Sequence, residues 1–138
     1  MAGVVQLTVD DFAAMSASDR ISVRRYGQLT EDVESDVTLA AANVGRLLNS
    51  DSDRVAWTIS NSGGANAASI SNLQAVVAAS GIVIGSGGGA AARNAIEDGS
   101  VTGREVFGYS TGGTTIHIVA TRAYGPLLLL PAGVTGLS

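Results

Sequence analysis

The segment of this sequence nearest to a known ligand-binding motif is glycine-rich: residues 85–90 read Gly-Ser-Gly-Gly-Gly-Ala. They match the fingerprint of dinucleotide-binding loops, whose glycines let the backbone approach a pyrophosphate at a helix start. A strand candidate precedes the loop, a helix-compatible segment (residues 90–96) follows it, and Glu105 has the spacing of a ribose ligand. However, the preceding chain is predicted to be β, and little chain remains for further βα units. We therefore favour a loop that joins strands, and we predict no cofactor.

An acidic turn offers oxygen ligands of the kind that calcium prefers. Asn49, Asp51 and Asp53 have the spacing of the first ligands of an EF-hand loop. That loop requires a glycine where Arg54 stands and a glutamate where Ser60 stands. We therefore interpret the segment as a hairpin or crossover turn and predict no metal site.

His117, the single histidine, and Ser86, which lies between glycines, are the remaining candidates for catalysis. The strand pattern points His117 away from Ile116 and Ile118, and no acidic residue stands at a metal-ligand spacing from it. Ser86 lacks the strand–turn–helix context of a nucleophile elbow. We expect His117 at the surface or in a structural role, and we predict no catalytic residues and no enzyme.

Composition narrows the function classes further. The chain has 138 residues, enough for one domain with a substantial core. A net charge of −4 disfavours nucleic-acid binding, and Arg24–Arg25 is too small a basic cluster to reverse this. Without cysteine there is neither a disulfide nor a thiolate metal site. The densest apolar run, residues 127–130, is far shorter than the roughly 20 residues of a membrane helix, so we predict no membrane partner.

The chain is organised around residues 47–61, where a polar turn leads into an alternating segment. Val55, Trp57 and Ile59 alternate with smaller or polar residues, as in a strand with one buried face. Ser62 and the glycines after it end the strand. Trp57, the only tryptophan, is therefore predicted to lie at the centre of the core.

Further short strands are predicted between glycine turns, at residues 67–72, 81–85, 104–109 and 114–122. This spacing is typical of a mainly β fold, an antiparallel β-sandwich or barrel, with extended N- and C-terminal arms and at most one short helix. Residues 21–25 alternate and also suggest a strand. Residues 30–48 have both helical spacing and strand-forming residues, and we favour extended structure from Val37 onward.

The two ends of the chain are predicted to be arms. We assign residues 1–36 to an N-terminal arm with short elements, 37–122 to the β-sandwich core and 123–138 to an apolar C-terminal arm. Prolines bracket the four leucines of the tail and argue against an ordinary ladder strand there. The apolar and arginine side chains of the arms either close the ends of the sandwich or bury against a partner. The candidate interface residues are Phe12, Met15, Arg24, Arg25, Tyr26, Leu127, Leu128, Leu129 and Leu130.

These strands resemble a recurrent module of small virion proteins of tailed bacteriophages. In that module an arginine opens an alternating strand that ends in asparagine, as residues 54–61 do here, and strands like residues 67–71, 81–84 and 114–121 follow. The likeness covers roughly the C-terminal two thirds; the glycine-alanine insertion at residues 86–95 and the extended tail depart from it. The resemblance implies a β-sandwich used as a capsid decoration, head-fibre or tail-associated part, with no catalytic residues to carry over.

The sequence thus favours a virion structural protein, a decoration or cement protein on the outside of a phage capsid. Its expected partners are the major capsid protein and copies of itself in a homo-oligomer. The alternative is a tail, fibre-base or host-attachment component. A nucleotide-binding enzyme that uses residues 85–90 is the third hypothesis.

Overall fold

The computed structural model describes residues 3–133, and the fold is mainly β, as predicted. In this described part the strands are β1 (Val4–Gln6), β2 (Leu29–Leu39), β3 (Asn43–Leu48), β4 (Arg54–Asn61), β5 (Ala68–Ser71), β6 (Ile82–Ile84), β7 (Ala90–Asn94), β8 (Val106–Ser110), β9 (Thr114–Tyr124) and β10 (Leu127–Leu129). The helices are α1 (Val9–Ala14), α2 (Ala17–Tyr26) and α3 (Ala95–Asp98), and a 3-10 turn spans Gly99–Gly103.

The chain divides into two compact units. One, the body, spans residues 32–121; the other, the terminal unit, is formed by the chain up to Glu31 and from Arg122 onward. Both ends of the chain therefore belong to a single unit.

Two four-stranded sheets build the β-sandwich, in the strand orders β2-β9-β4-β7 and β3-β8-β5-β6. The pairs β4–β7, β3–β8, β5–β6 and β5–β8 are antiparallel. Among the described residues neither sheet closes on itself, so the sandwich is the architecture and the barrel is not.

The core of the body lies between these sheets, and both contribute to it. Trp57 is only 2% exposed and packs in the cluster, which confirms its predicted central position. Its neighbour on the same face of β4, Ile59, is fully buried. The other buried members come from six strands and are Leu39, Leu47, Ala68, Ile70, Ile84, Val106, Ile116 and Ile118.

A glycine on β8 allows two leucines to fill this core. A Cβ atom at Gly108 would lie 2.9 Å from Leu47 Cδ1 and 3.1 Å from Leu39 Cδ1, closer than normal contact. The close packing of the two leucines therefore requires a residue without a side chain at this position.

The terminal unit is held by a parallel ladder between the chain's two ends. Val4, Val5 and Gln6 of β1 lie opposite Leu127, Leu128 and Leu129 of β10, respectively. Our expectation that prolines would prevent a ladder strand in the tail was wrong. Both prolines lie outside β10, so its residues keep the backbone N–H groups that a ladder needs.

Residues 21–25, predicted as a strand, are part of helix α2 instead. Ser16 accepts a hydrogen bond from the backbone N–H of Asp19, and Gly27 ends the helix in a left-handed conformation with φ of 71°. These caps lie outside the alternating segment, and they outweigh its short period-two pattern. The residues around Phe12 form helix α1, which Thr8 and Asp11 cap reciprocally.

The segment from Val37 onward lies in strands β2 and β3 apart from one turn, as we favoured, and β2 begins before Val37, at Leu29. A turn separates β2 from β3, and Ala42 takes a positive φ of 56° there. The Asn43 backbone N–H donates to the Ala40 carbonyl, which closes the turn. Helical spacing in this segment reflects where its apolar residues happen to fall in two strands and a turn.

Candidate functional site

The glycine-rich loop between β6 and β7 uses its own amides to hold the body together. The N–H of Gly87 donates to the Gly63 carbonyl at 2.7 Å, and that of Gly88 donates to the Asn61 carbonyl at 2.8 Å. The N–H of Gly89 turns back onto the first residue of the loop at 3.1 Å. A phosphate-binding loop must instead present such amides to the ligand. In this arrangement the three amides are already used within the protein.

The segment after this loop is strand β7, so the loop joins two strands, as we favoured, and only residues 95 and 96 of the helix-compatible segment are helical. β7 pairs with β4 in a ladder that places Arg93 opposite Trp57. Helix α3 begins only afterwards, where the Asn94 side chain accepts hydrogen bonds from the N–H groups of Ile96 and Glu97. A helix of four residues does not supply the long dipole that a nucleotide loop uses.

The acidic turn before β4 is organised around a buried arginine. The Arg54 guanidinium donates to the carbonyl oxygens of Asn49, Thr102 and Arg104 at 2.7–3.0 Å. Desolvation lowers the pKa of Arg54, and the charge of Asp51 opposes that effect. Arg54 therefore has a structural role, because it links the turn to the Gly99–Gly103 segment. The sequence did not reveal this role, since Arg54 was considered there only as a residue that breaks the EF-hand pattern.

Metal ligation has no support in the arrangement of acidic and histidine side chains. Among residues 3–133, no group of three or more such side chains is arranged so that it could hold a metal ion. In the same range no helix is long and apolar enough to cross a membrane.

His117 lies at the surface of β9, between two carboxylates of β2. Its Nδ1 is 2.8 Å from Asp36 Oδ1 and its Nε2 is 3.2 Å from Glu34 Oε1. Only the doubly protonated ring can donate to both, so the hydrogen bonds to Asp36 and then Glu34 raise the pKa of His117. The surface placement agrees with our expectation. The two carboxylate partners could not be found from the sequence, because they depend on the β2–β9 register.

The candidate interface residues of the two arms fall into three groups. Phe12, Met15, Leu128 and Leu130 pack into a second hydrophobic core, inside the terminal unit, together with buried Leu7 and Val23. These side chains therefore have partners within their own chain.

The arginines of this set lie over aromatic rings. The Arg24 guanidinium carbon is 5.3 Å from the ring centre of Phe12, and that of Arg25 is 5.7 Å from the ring centre of Tyr26. These are cation–π distances, and they hold both arginines on the terminal unit.

Leu127 and Leu129 behave differently, because they face outward. Side chains alternate along β10, so Leu128 turns inward and its two neighbours turn out. Leu127 is 47% exposed and Leu129 is 49% exposed, and Val4, opposite Leu127 in the ladder, is 59% exposed. We call these three residues the terminal apolar stripe. Leu127 and Leu129 are the leucines of the predicted interface that are exposed in the described structure, and Val4 adds to them a residue that the sequence did not single out.

Charge is distributed unequally between the units. The terminal unit carries four acidic side chains and four arginines, namely Asp10, Asp11, Asp19 and Glu31 with Arg20, Arg24, Arg25 and Arg122. The body carries eight acidic side chains and four arginines. The chain's net charge of −4 therefore belongs to the body, and the apolar stripe lies on a unit without net charge.

Comparisons with known proteins give no family for the chain. No protein-family model matches it, and no curated protein matches it significantly. A solved structure from work describing Bacillus endospore appendages as a novel family of disulfide-linked pili is similar over 69% of this chain and 87% of that chain. The two sequences are 13% identical and the TM-score is 0.41, which is too low to show a shared fold.

Proposed function

We propose that this chain is a virion structural protein, a decoration or cement protein that binds the outside of a phage capsid. The observation that carries the proposal is the terminal apolar stripe of Val4, Leu127 and Leu129. Exposed apolar side chains grouped on one face mark interaction sites. In this proposal the stripe docks on the major capsid protein.

The charge distribution also supports docking through the terminal unit. A unit without net charge meets little electrostatic opposition when it approaches another protein surface, whereas the acidic body favours solvent and repels packaged DNA. In this proposal the terminal unit is therefore the part of the chain that contacts the shell.

The proposed mechanism is mass action. A ligand that binds only the assembled state stabilises that state by a free energy that grows with the logarithm of its concentration relative to its dissociation constant. Residues 4–6 and 127–129 pair in one ladder, so the stripe is presented on an ordered surface and little conformational entropy is lost on docking. A closed shell repeats its sites symmetrically, and copies of this chain would occupy neighbouring sites as a homo-oligomer.

Fractionation of virions tests the proposal against its alternative. The virus that encodes the chain is separated into heads, tails and intact particles, and the protein is quantified in each fraction by mass spectrometry. We expect it in heads and intact particles. Recovery with tails alone would replace the proposal with the tail, fibre-base or host-attachment alternative, and absence from all particles would refute both.

A further inference from the structure

An open groove in the terminal unit lies between the end of helix α2 and strand β10. The backbone N–H of Leu128 donates to the Gly27 carbonyl at 2.7 Å, so the strand is fixed against the helix end. The groove has a volume of about 380 Å³. Ligand clefts in proteins measure about 300–1,000 Å³, so this one has room for the side chains of a short bound segment. Its other lining residues are Val23, Arg24, Arg25, Leu129 and Leu130.

The apolar part of the groove is continuous with the terminal apolar stripe. Leu129 belongs to the stripe, is 49% exposed and also lines the groove. Val23 is a buried member of the second core, and Leu128 and Leu130 pack against that core. A partner that docks on the stripe therefore reaches the groove as well, and the groove offers apolar contact to a side chain of that partner.

Two arginines add positive charge to the same groove. In the part of the chain that the structure describes, the guanidinium groups of Arg24 and Arg25 form no ion pair. None of the four acidic residues of the terminal unit lines the groove. One of them, Glu31, lies beside Arg122 instead, at 3.7 Å. The groove therefore combines apolar residues with two positive charges that have no local counter-charge.

These guanidinium groups keep hydrogen-bond donors for a partner. A cation–π contact, such as each arginine makes with an aromatic ring, engages the face of the guanidinium, whereas the N–H groups lie in its plane. Arg25 is exposed. Arg24 is half-buried and its Nε is inaccessible, so only its terminal nitrogens can serve a partner. The aromatic contacts restrain both side chains, which lowers the entropy lost when a carboxylate binds.

Basic residues in the last turn of a helix also interact favourably with the helix dipole. Arg24 and Arg25 both stand in the last turn of α2, so this role applies to them. The dipole interaction uses their charge and leaves their N–H donors unused. It also gives no reason for an apolar groove beside them.

We propose that this groove binds an acidic segment of a partner protein, in which an apolar side chain lies between carboxylates. The apolar side chain contacts the leucines of β10, and the carboxylates accept hydrogen bonds from Arg24 and Arg25. The inference rests on the proposed docking through the terminal unit and adds the chemistry that the capsid surface must present. An anionic membrane matches less well, because lipid attraction takes clusters of about 4–8 basic residues and this groove has two.

Peptide binding to the purified chain tests the proposal without any virion. The probe is a fluorophore-labelled peptide of sequence Glu-Asp-Leu-Asp-Glu, blocked at both ends, and its control is Gln-Asn-Leu-Asn-Gln with the same label. Fluorescence anisotropy should show saturable binding of the acidic peptide with a dissociation constant below about 1 mM, weakened by added salt. The amide peptide should bind at least about tenfold more weakly. No saturable binding of the acidic peptide, or equal binding of both, would overturn the proposal.

Arg25→Gln and Arg104→Gln are a matched pair of variants. Each removes one charge from an exposed arginine, but Arg104 lies on the body. Arg25→Gln should weaken binding of the acidic peptide by roughly fivefold or more, because a charge-assisted hydrogen bond is lost, whereas Arg104→Gln should change it by less than about twofold. Circular dichroism establishes that both variants are folded. Wild-type affinity in the folded Arg25→Gln protein would contradict the assignment.

Two further measurements address other occupants. We expect no co-pelleting with phosphatidylcholine–phosphatidylserine vesicles, and the same sedimentation velocity for Arg25→Gln and wild type. Vesicle binding that Arg25→Gln abolishes would assign the groove to a membrane, and a wild-type oligomer that Arg25→Gln dissociates would assign it to a second copy; either result overturns the proposal. The capsid proposal fails separately, through absence of the chain from virions, because no virion enters the peptide measurement.

Discussion

Val5 and Leu128 lie opposite each other in a parallel ladder, although they stand near opposite ends of the chain. This pairing converts two sequence-distant arms into one unit with its own core. It also decides which leucines are structural and which are available for a partner, because Leu128 turns into that core and its neighbours on β10 turn outward.

The first prediction separates inward and outward leucines of β10. Leu128→Ala should destabilise the terminal unit by about 2 kcal/mol, because it removes packing against Phe12 and Val23. Leu129→Ala, at an exposed position, should change stability by less than about 0.5 kcal/mol. Hydrogen exchange of the α2 amides measures the effect in this unit. Equal exchange rates in the two variants would contradict the assigned core.

The second prediction concerns the core of the body. Ile59→Ala should lower the free energy of unfolding by about 3 kcal/mol, because Ile59 is fully buried and its site cannot collapse freely. Thr58→Ala, the neighbouring exposed position on β4, is the matched control and should have little effect. Urea unfolding followed by Trp57 fluorescence measures both. A small loss for Ile59→Ala would show that this side chain is not packed as described.

The third prediction tests the buried arginine. Arg54→Leu leaves three backbone carbonyls without their donor and should destabilise the body by about 3 kcal/mol. Arg104→Leu makes the same chemical change at an exposed position and should be nearly neutral. Both are measured by urea unfolding. If the two variants lost the same stability, the carbonyl contacts of Arg54 would not be structural.

The fourth prediction is a pH dependence. His117 should titrate with a pKa above its ordinary value of 6.5, because hydrogen bonds to Asp36 and Glu34 favour the protonated ring. With the folded pKa raised, the stabilisation is complete below the unfolded pKa and is lost as pH rises through the folded pKa. Proton NMR resolves this single histidine without ambiguity. The double variant Asp36→Asn with Glu34→Gln should return the pKa towards 6.5, and an unchanged pKa in that variant would refute the assigned cause.

The sandwich could be predicted from the sequence because strand signals there are local. The alternation around Trp57 and the glycine turns between short apolar segments are visible in the sequence itself. The structure confirms the mainly β fold that they predict. The partners of His117 could not be predicted, since they depend on the register of strands far apart in sequence. Register is set by the whole sheet and not by the residues of one strand.

The terminal unit was harder to predict for a different reason. Its ladder joins residues from the two ends of the chain, and no local pattern signals such a pair. The prolines around β10 argued against a strand, although proline removes only its own N–H. Which leucines of the run point inward and which point outward depends on the pairing of β10 with β1.

Deleting residues 126–138 would be a natural test of docking, but it would also remove Leu128 and Leu130 from the second core. Substitution of the exposed leucines avoids this difficulty. A matched control exists on the body, where Leu73 and Val77 are 71% and 56% exposed. Replacing these two by serine removes similar apolar surface from the body instead of the terminal unit.

The proposed capsid role is tested most directly by quantitative co-sedimentation with purified heads of the phage that, in this proposal, encodes the chain. We expect saturable binding of the wild type, an affinity roughly tenfold or more lower for Leu127→Ser with Leu129→Ser, and wild-type affinity for Leu73→Ser with Val77→Ser. Circular dichroism establishes that all three proteins are folded. Unchanged head binding by the folded Leu127→Ser, Leu129→Ser variant, or no binding by the wild type, would contradict docking through the terminal apolar stripe.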